Sequence, residues 1–219
     1  MEKNQSLTIE ETFNLAVKNH LDGKTDIAQE LYNQVLKINP NHSQALNNIA
    51  IIFTNLKNYQ KAKECYEKAI EINPDYSDAY HNLAVIFTNL KNYQKAKECY
   101  EKVIEINPNH VDAHNNLGII FKEEAENQKA KECYEKVIEI NPNHSIAHYN
   151  LGVIFREEGE YQKAKKCFEK ALEIDPLNKL YMTTYGDTLI FLNDKFKGFD
   201  YIKKGQGIIK FTPLFIKII

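Results

Sequence analysis

Five of the six prolines in this chain of 219 residues, Pro40, Pro74, Pro108, Pro142 and Pro176, stand 34 residues apart. A fixed period of that size marks a stacked repeat array, in which each unit buries its apolar face against its neighbours. Framing each unit so that its proline is the thirty-second residue gives units at 9–42, 43–76, 77–110, 111–144 and 145–178. Small residues then recur at the eighth place (Ala16, Ala50, Ala84, Gly118, Gly152) and at the twentieth (Ala28, Ala62, Ala96, Ala130, Ala164). An aromatic follows at the twenty-fourth (Tyr32, Tyr66, Tyr100, Tyr134, Phe168), with Ala or Val at the twenty-seventh. Small side chains let two helices approach, and the aromatic fills the space between one pair and the next.

Apolar residues spaced three and four apart, as in Ala45, Leu46, Ile49, Ala50, Ile52 and Phe53, predict one amphipathic helix. Ala62, Cys65, Tyr66, Ala69 and Ile70 predict a second in the same unit. Turns are expected around Gly23, Lys57, Lys91, Ala125 and Gly159, and the second helices should stop at Asn-Pro or Asp-Pro. Thr8-Ile-Glu-Glu11 has the spacing of a capping box, so the first helix should start there after a leader of residues 1–8. The frame continues in altered form through a divergent sixth unit at 179–212, with Gly186, Gly198 and Gly205 at the eighth, twentieth and twenty-seventh places. Glycine inside a helix costs about 1 kcal/mol relative to Ala, so this unit reads as an atypical terminal cap. An apolar tail, 213–219, ends the chain.

With 28 Lys and Arg against 30 Asp and Glu, the formal charge is −2, and no basic excess points to nucleic acid. No apolar run approaches the roughly 20 residues of a membrane-spanning helix, and the polar start, Met1 to Ser6, carries no secretory signal. Cys65, Cys99, Cys133 and Cys167 repeat with the same period and so fall on successive stacked helices, about 8 to 10 Å apart, too far for disulfides. Reduced thiols and a cytoplasmic location are the expectation.

The pattern of a bulky residue, Leu or Ala with Gly, an aromatic, Ala, an aromatic and Pro resembles the tetratricopeptide repeat family over residues 9–178. That resemblance implies an all-α, right-handed superhelical solenoid of antiparallel helix pairs. In this family the first helices line a concave groove, which places Asn14, Asn48, Asn82, Asn116 and Asn150 there from the sixth place. The row is similar to the asparagine ladder of the repeat region of O-linked N-acetylglucosamine transferases. A carboxamide both donates and accepts, so such a row suits the backbone of an extended peptide, although inter-repeat hydrogen bonding uses the same chemistry. Val17, Ile51, Val85, Ile119 and Val153 form an aliphatic stripe beside it, while His81, Asn115 and Tyr149, then Lys122 and Arg156, supply the variation that reading a sequence needs. The family's clamp for chaperone C-terminal carboxylates needs basic residues that units one to three lack.

No enzyme chemistry stands out: neither a phosphate loop nor a nucleophile elbow nor paired zinc cysteines are present. His110 with His114, and His144 with His148, have an i,i+4 spacing that suits a metal, but without the Glu of the protease motif they read as a turn residue plus a space-filler. No metal or cofactor is expected. The chain reads as a non-enzymatic adaptor that binds a protein or peptide ligand in its groove. The alternatives are a targeting or substrate-recruiting module of a separate transferase or oxygenase, and self-assembly as a homodimer through the tail. The tail either folds over the last helix pair, docks on a second protomer, or lies on a membrane with Lys203, Lys204, Lys210 and Lys217; the first is favoured and a membrane surface is not expected.

Overall fold

The computed structural model describes residues 7–206. The expectations for the polar start, the end of the sixth unit and the apolar tail fall on residues 1–6 and 207–219, outside that range. Twelve helices and no strand occur among the described residues. They alternate as first and second helices of six pairs: α1 (Ile9–Leu21) with α2 (Thr25–Ile38), α3 (Ser43–Asn55) with α4 (Tyr59–Ile72), α5 (Ser77–Asn89) with α6 (Tyr93–Ile106), α7 (Val111–Glu123) with α8 (Asn127–Ile140), α9 (Ser145–Glu157) with α10 (Tyr161–Ile174), and α11 (Lys179–Phe191) with α12 (Lys195–Gln206). The chain forms two compact units that divide between Ala113 and His114, inside α7.

Each pair is closed by the same hydrogen-bonded turn. After α3, the Lys57 N–H bonds the Thr54 carbonyl at 2.9 Å and the Asn58 N–H bonds the Phe53 carbonyl at 2.8 Å, which satisfies two orphan acceptors of the helix end. This motif needs a left-handed residue between the helices. Glycine supplies it at Gly23 and Gly159, whereas Lys57, Lys91, Ala125 and Asn193 adopt it with φ between 56° and 66°. At the other end of the second helices that run into a proline, the residue before it leaves the helix, in an extended conformation at Asn73 and Asn107. The carboxamide of Asn73 then accepts from the Asp75 N–H at 3.3 Å and sets the turn into α5.

Thr8 caps α1 as its spacing predicts: the Glu11 N–H donates to Thr8 Oγ1 at 3.2 Å, and the Thr8 N–H to the Glu11 carboxylate at 2.8 Å. Histidine caps other first helices. The Nδ1 atoms of His42, His110 and His144 accept from the N–H groups of Ala45, Ala113 and Ala147 at 3.1–3.2 Å. The first histidine of each candidate metal pair thus spends its ring nitrogen on a helix end.

The core repeats with the sequence. In the first unit Ala16, Ala28, Tyr32, Val35, Ala45, Ile49 and Ile52 form one buried cluster. In the second unit Ala164, Phe168, Tyr185 and Leu189 form another. Helix approach is tightest in the last pair, where a Cβ on Gly186 would stand 2.6 Å from the Gly198 carbonyl oxygen and one on Gly198 2.7 Å from that of Gly186. The glycines that read as a cost in the sequence are therefore what lets α11 and α12 touch through their backbones. Helix propensity alone expects Gly186→Ala to stabilise by about 1 kcal/mol. The contact with backbone expects the opposite, a loss of about 2 kcal/mol, measurable by urea unfolding.

Candidate interaction surface

In the first compact unit the sixth-place amides are wired to the core aromatics. Asn48, half-buried on α3, donates from Nδ2 to the hydroxyl of Tyr32 on α2 at 3.2 Å. Asn47 Nδ2 donates to Asn48 Oδ1 at 3.3 Å, and Asn82 Nδ2 on α5 donates to Asn47 Oδ1, also at 3.3 Å. His20 Nδ1 lies 3.5 Å from the same Tyr32 hydroxyl. A chain of hydrogen bonds thus runs from α1 through α2 and α3 to α5. Asn14 alone of the row is exposed.

His81 follows Asn82 in this chain on α5. Its ring stacks on His110 at 5.1 Å and meets Tyr100 edge-on at 5.7 Å, and its buried Nε2 has no partner among the described residues. Burial, then the charge of His110, lowers its affinity for a proton; Asp112, Asn82 and Asp78 act the other way.

In the second compact unit Asn150 acts on the Tyr134 hydroxyl against the upward push of burial, at the same separation of 16 residues as Asn48 and Tyr32. Sixteen residues before Thr184 stands Phe168, which has no hydroxyl to offer, and the sixth-place residue there is correspondingly not Asn. Thr184 lies 3.3 Å from the hydroxyl of Tyr149, whose ring stacks on Tyr181 at 4.7 Å. Asn115 Nδ2 donates to Asn116 Oδ1 at 3.4 Å, leaving Asn115 Oδ1 buried without a partner among the described residues. Lys122 pairs with Glu157. Arg156 shares a cleft of about 400 Å³ with Tyr161, Asp187, Ile190 and Phe191, where burial raises the Asp187 carboxyl and Arg156 partly offsets the shift.

The ninth-place stripe is split in exposure: Val17, Ile51, Val85 and Val153 are half-buried, and Ile119 is exposed. Val17 and Val153 each rest one side against a core cluster. Burial pushes the thiols of Cys99, Cys133 and Cys167 up to about 11, which leaves no reactive thiolate there at neutral pH. Among the described residues no three His, Cys, Asp or Glu side chains converge as a metal site, and no helix is long and apolar enough to cross a membrane.

The sequence profile of the tetratricopeptide repeat matches residues 43–76, 77–110, 111–144 and 145–178, more than half of the chain. The chain belongs to the tetratricopeptide repeat family. Among solved structures it is similar to MamA, at 28% identity and a TM-score of 0.68 over 74% of this chain and 94% of that one. It also resembles pilF of Pseudomonas aeruginosa, at 19% identity and a TM-score of 0.78 over 88% of each chain. YrrB, described as a tetratricopeptide repeat protein with an unusual peptide-binding site, is 20% identical with a TM-score of 0.68 over 80% of this chain and 90% of that one. The last two likenesses concern the fold alone. No curated protein matches the chain significantly.

Sequence reasoning placed the tetratricopeptide asparagines but missed their partners, although the spacing of 16 residues between each core Tyr and the next Asn was available as a signal. The lowered proton affinity of His81, and of His20 through burial, has a measurable consequence. The unfolded chain takes up these protons near the ordinary value of 6.5 and the folded chain only at lower pH. Their contribution to stability is complete above that value and is lost as pH falls below it. Urea midpoints should drop between pH 7 and pH 5, and His81→Asn, which installs the residue of the second and fourth repeats, should flatten the dependence.

Proposed function

We propose that this repeat protein is an adaptor that holds an extended segment of a partner protein on the faces of its first helices. The half-buried carboxamides of Asn48, Asn82, Asn116 and Asn150, with Asn14, would meet the peptide backbone. The ninth-place aliphatics Ile51, Val85, Ile119 and Val153 would meet its side chains. His81, Asn115, Tyr149, Lys122 and Arg156 would select among sequences.

The observation that carries this reading is the bond between Asn48 Nδ2 and the Tyr32 hydroxyl, with Asn150 beside Tyr134 at the same spacing. A carboxamide has two donors and two acceptor lone pairs, so the bonds of Asn48 to Tyr32 and from Asn47 fix the side chain and leave one donor and one acceptor for a ligand. Holding the amide in one rotamer beforehand removes part of the ordering cost of binding, about 0.5–1.5 kcal/mol per side chain. Inter-repeat bonding and ligand contact are therefore compatible uses of one row. The description of YrrB as a peptide-binding protein of the same fold agrees with this reading.

Affinity capture from a native lysate, followed by titration of the captured partner, tests it. Asn82→Ala with Asn150→Ala removes two backbone contacts, each worth about 1 kcal/mol, and should weaken binding at least about tenfold. Equal affinity of the double variant and the parent, with both folded by circular dichroism, would refute the assignment.

A further inference from the structure

The outward faces of the second helices follow one pattern until the last pair. On α4 the residues at i, i+3 and i+7 that point away from the core are Gln60, Lys63 and Glu67, and the same Gln–Lys–Glu stripe recurs on α6, α8 and α10. The corresponding residues of α2 are polar as well. On α12 the same places hold Phe196, Phe199 and Lys203. Gly198 and Gly205 are buried on the opposite side of that helix, and Phe196 is 91% and Phe199 36% exposed. Two aromatics have replaced Gln, which is exposed in the inner pairs, and Lys, which is half-buried there.

Charge changes with them. Helices α4, α6 and α8 each balance three Lys with three Glu, α10 carries four Lys and two Glu, and α12 four Lys and one Asp, where Lys204 already pairs with Asp200 at 2.6 Å. Residues 195–219 hold six Lys and one Asp, against 22 cationic and 29 acidic residues in 1–194. Such an asymmetry points to an anionic partner.

Although no membrane surface is expected from the sequence alone, we propose that the Phe196–Phe199–Lys203 stripe of α12, flanked by Lys195, docks on an anionic lipid bilayer. From i to i+7 the stripe is about 10 Å long, far too short for the roughly 800 Å² per partner of a stable protein interface. A bilayer asks for less: aromatic rings enter the boundary between headgroups and acyl chains, and each neighbouring Lys adds about 1 kcal/mol of attraction to anionic lipid. The docking face belongs to a second helix, so it is separate from the first-helix face assigned to the peptide. Binding is peripheral, since α12 is neither long nor apolar enough to span a membrane.

Vesicle flotation with the full chain tests the proposal. The protein should float with mixed phosphatidylcholine–phosphatidylglycerol vesicles, remain behind with phosphatidylcholine alone, and be released by added salt. Phe196→Gln with Phe199→Gln should reduce partitioning at least about tenfold, and Lys195→Glu with Lys203→Glu should abolish it. The single change Phe196→Gln touches a nearly fully exposed ring, leaves the fold intact and should still lower partitioning several-fold. Failure of the parent to float, equal binding to both vesicle types, or parental binding by Phe196→Gln would overturn the proposal. So would capture of an acidic protein by the stripe in place of vesicles.

Discussion

One side chain links the packing of this array to its surface: the tyrosine at the twenty-fourth place of the repeat. Its ring fills the space between helix pairs whose approach is set by Ala or Gly, and Tyr32, Tyr66, Tyr100 and Tyr134 are all essentially fully buried. At Tyr32 the hydroxyl reaches the next first helix and holds Asn48, and Tyr134 stands beside Asn150 at the same spacing, whereas Tyr66 meets Thr54 of its own pair at 3.4 Å. Core packing and amide placement are thus one constraint. Where the ring becomes Phe168, the amide gives way to Thr184, and a different hydroxyl, that of Tyr149, supplies the contact.

Much of the fold is legible in the sequence because it is written five times. Proline spacing sets the frame, and small and aromatic residues at fixed places give the helix faces, so each expected turn falls where a left-handed residue occurs, including the non-glycine Lys57, Lys91 and Ala125. What escapes is whatever occurs once or depends on three-dimensional neighbours. Nothing local marks His42, His110 and His144 as helix caps, since histidine is not a usual cap residue. The stack of His81 on His110 joins side chains 29 residues apart. Gly186 and Gly198 look like weak helix formers until their backbones are seen to touch. The meeting of Arg156 and Asp187 in one cleft is hidden because the ninth place is aliphatic in every earlier unit.

The result is a tetratricopeptide repeat scaffold whose first and second helices differ chemically. First helices carry amides already oriented by the core, interrupted by His81, Asn115, Tyr149, Lys122 and Arg156, which differ from unit to unit. The second helices α4, α6 and α8 are nearly invariant, with Ile52 to Lys68 repeated in Ile86 to Lys102, and carry balanced Lys and Glu. The variation that selection of a partner would require lies on the first helices. The last pair departs from both rules at once, with backbone-to-backbone packing inside and aromatics outside.

The link between core and surface can be cut with a single oxygen. Tyr32→Phe combined with Tyr134→Phe keeps both rings, and so the packing, while removing the hydroxyls that orient Asn48 and Asn150. Calorimetric titration with the captured partner should then show affinity reduced several-fold, while the double variant keeps its cooperative unfolding transition. Unchanged affinity would contradict the claim that the core tyrosines prepare the binding face.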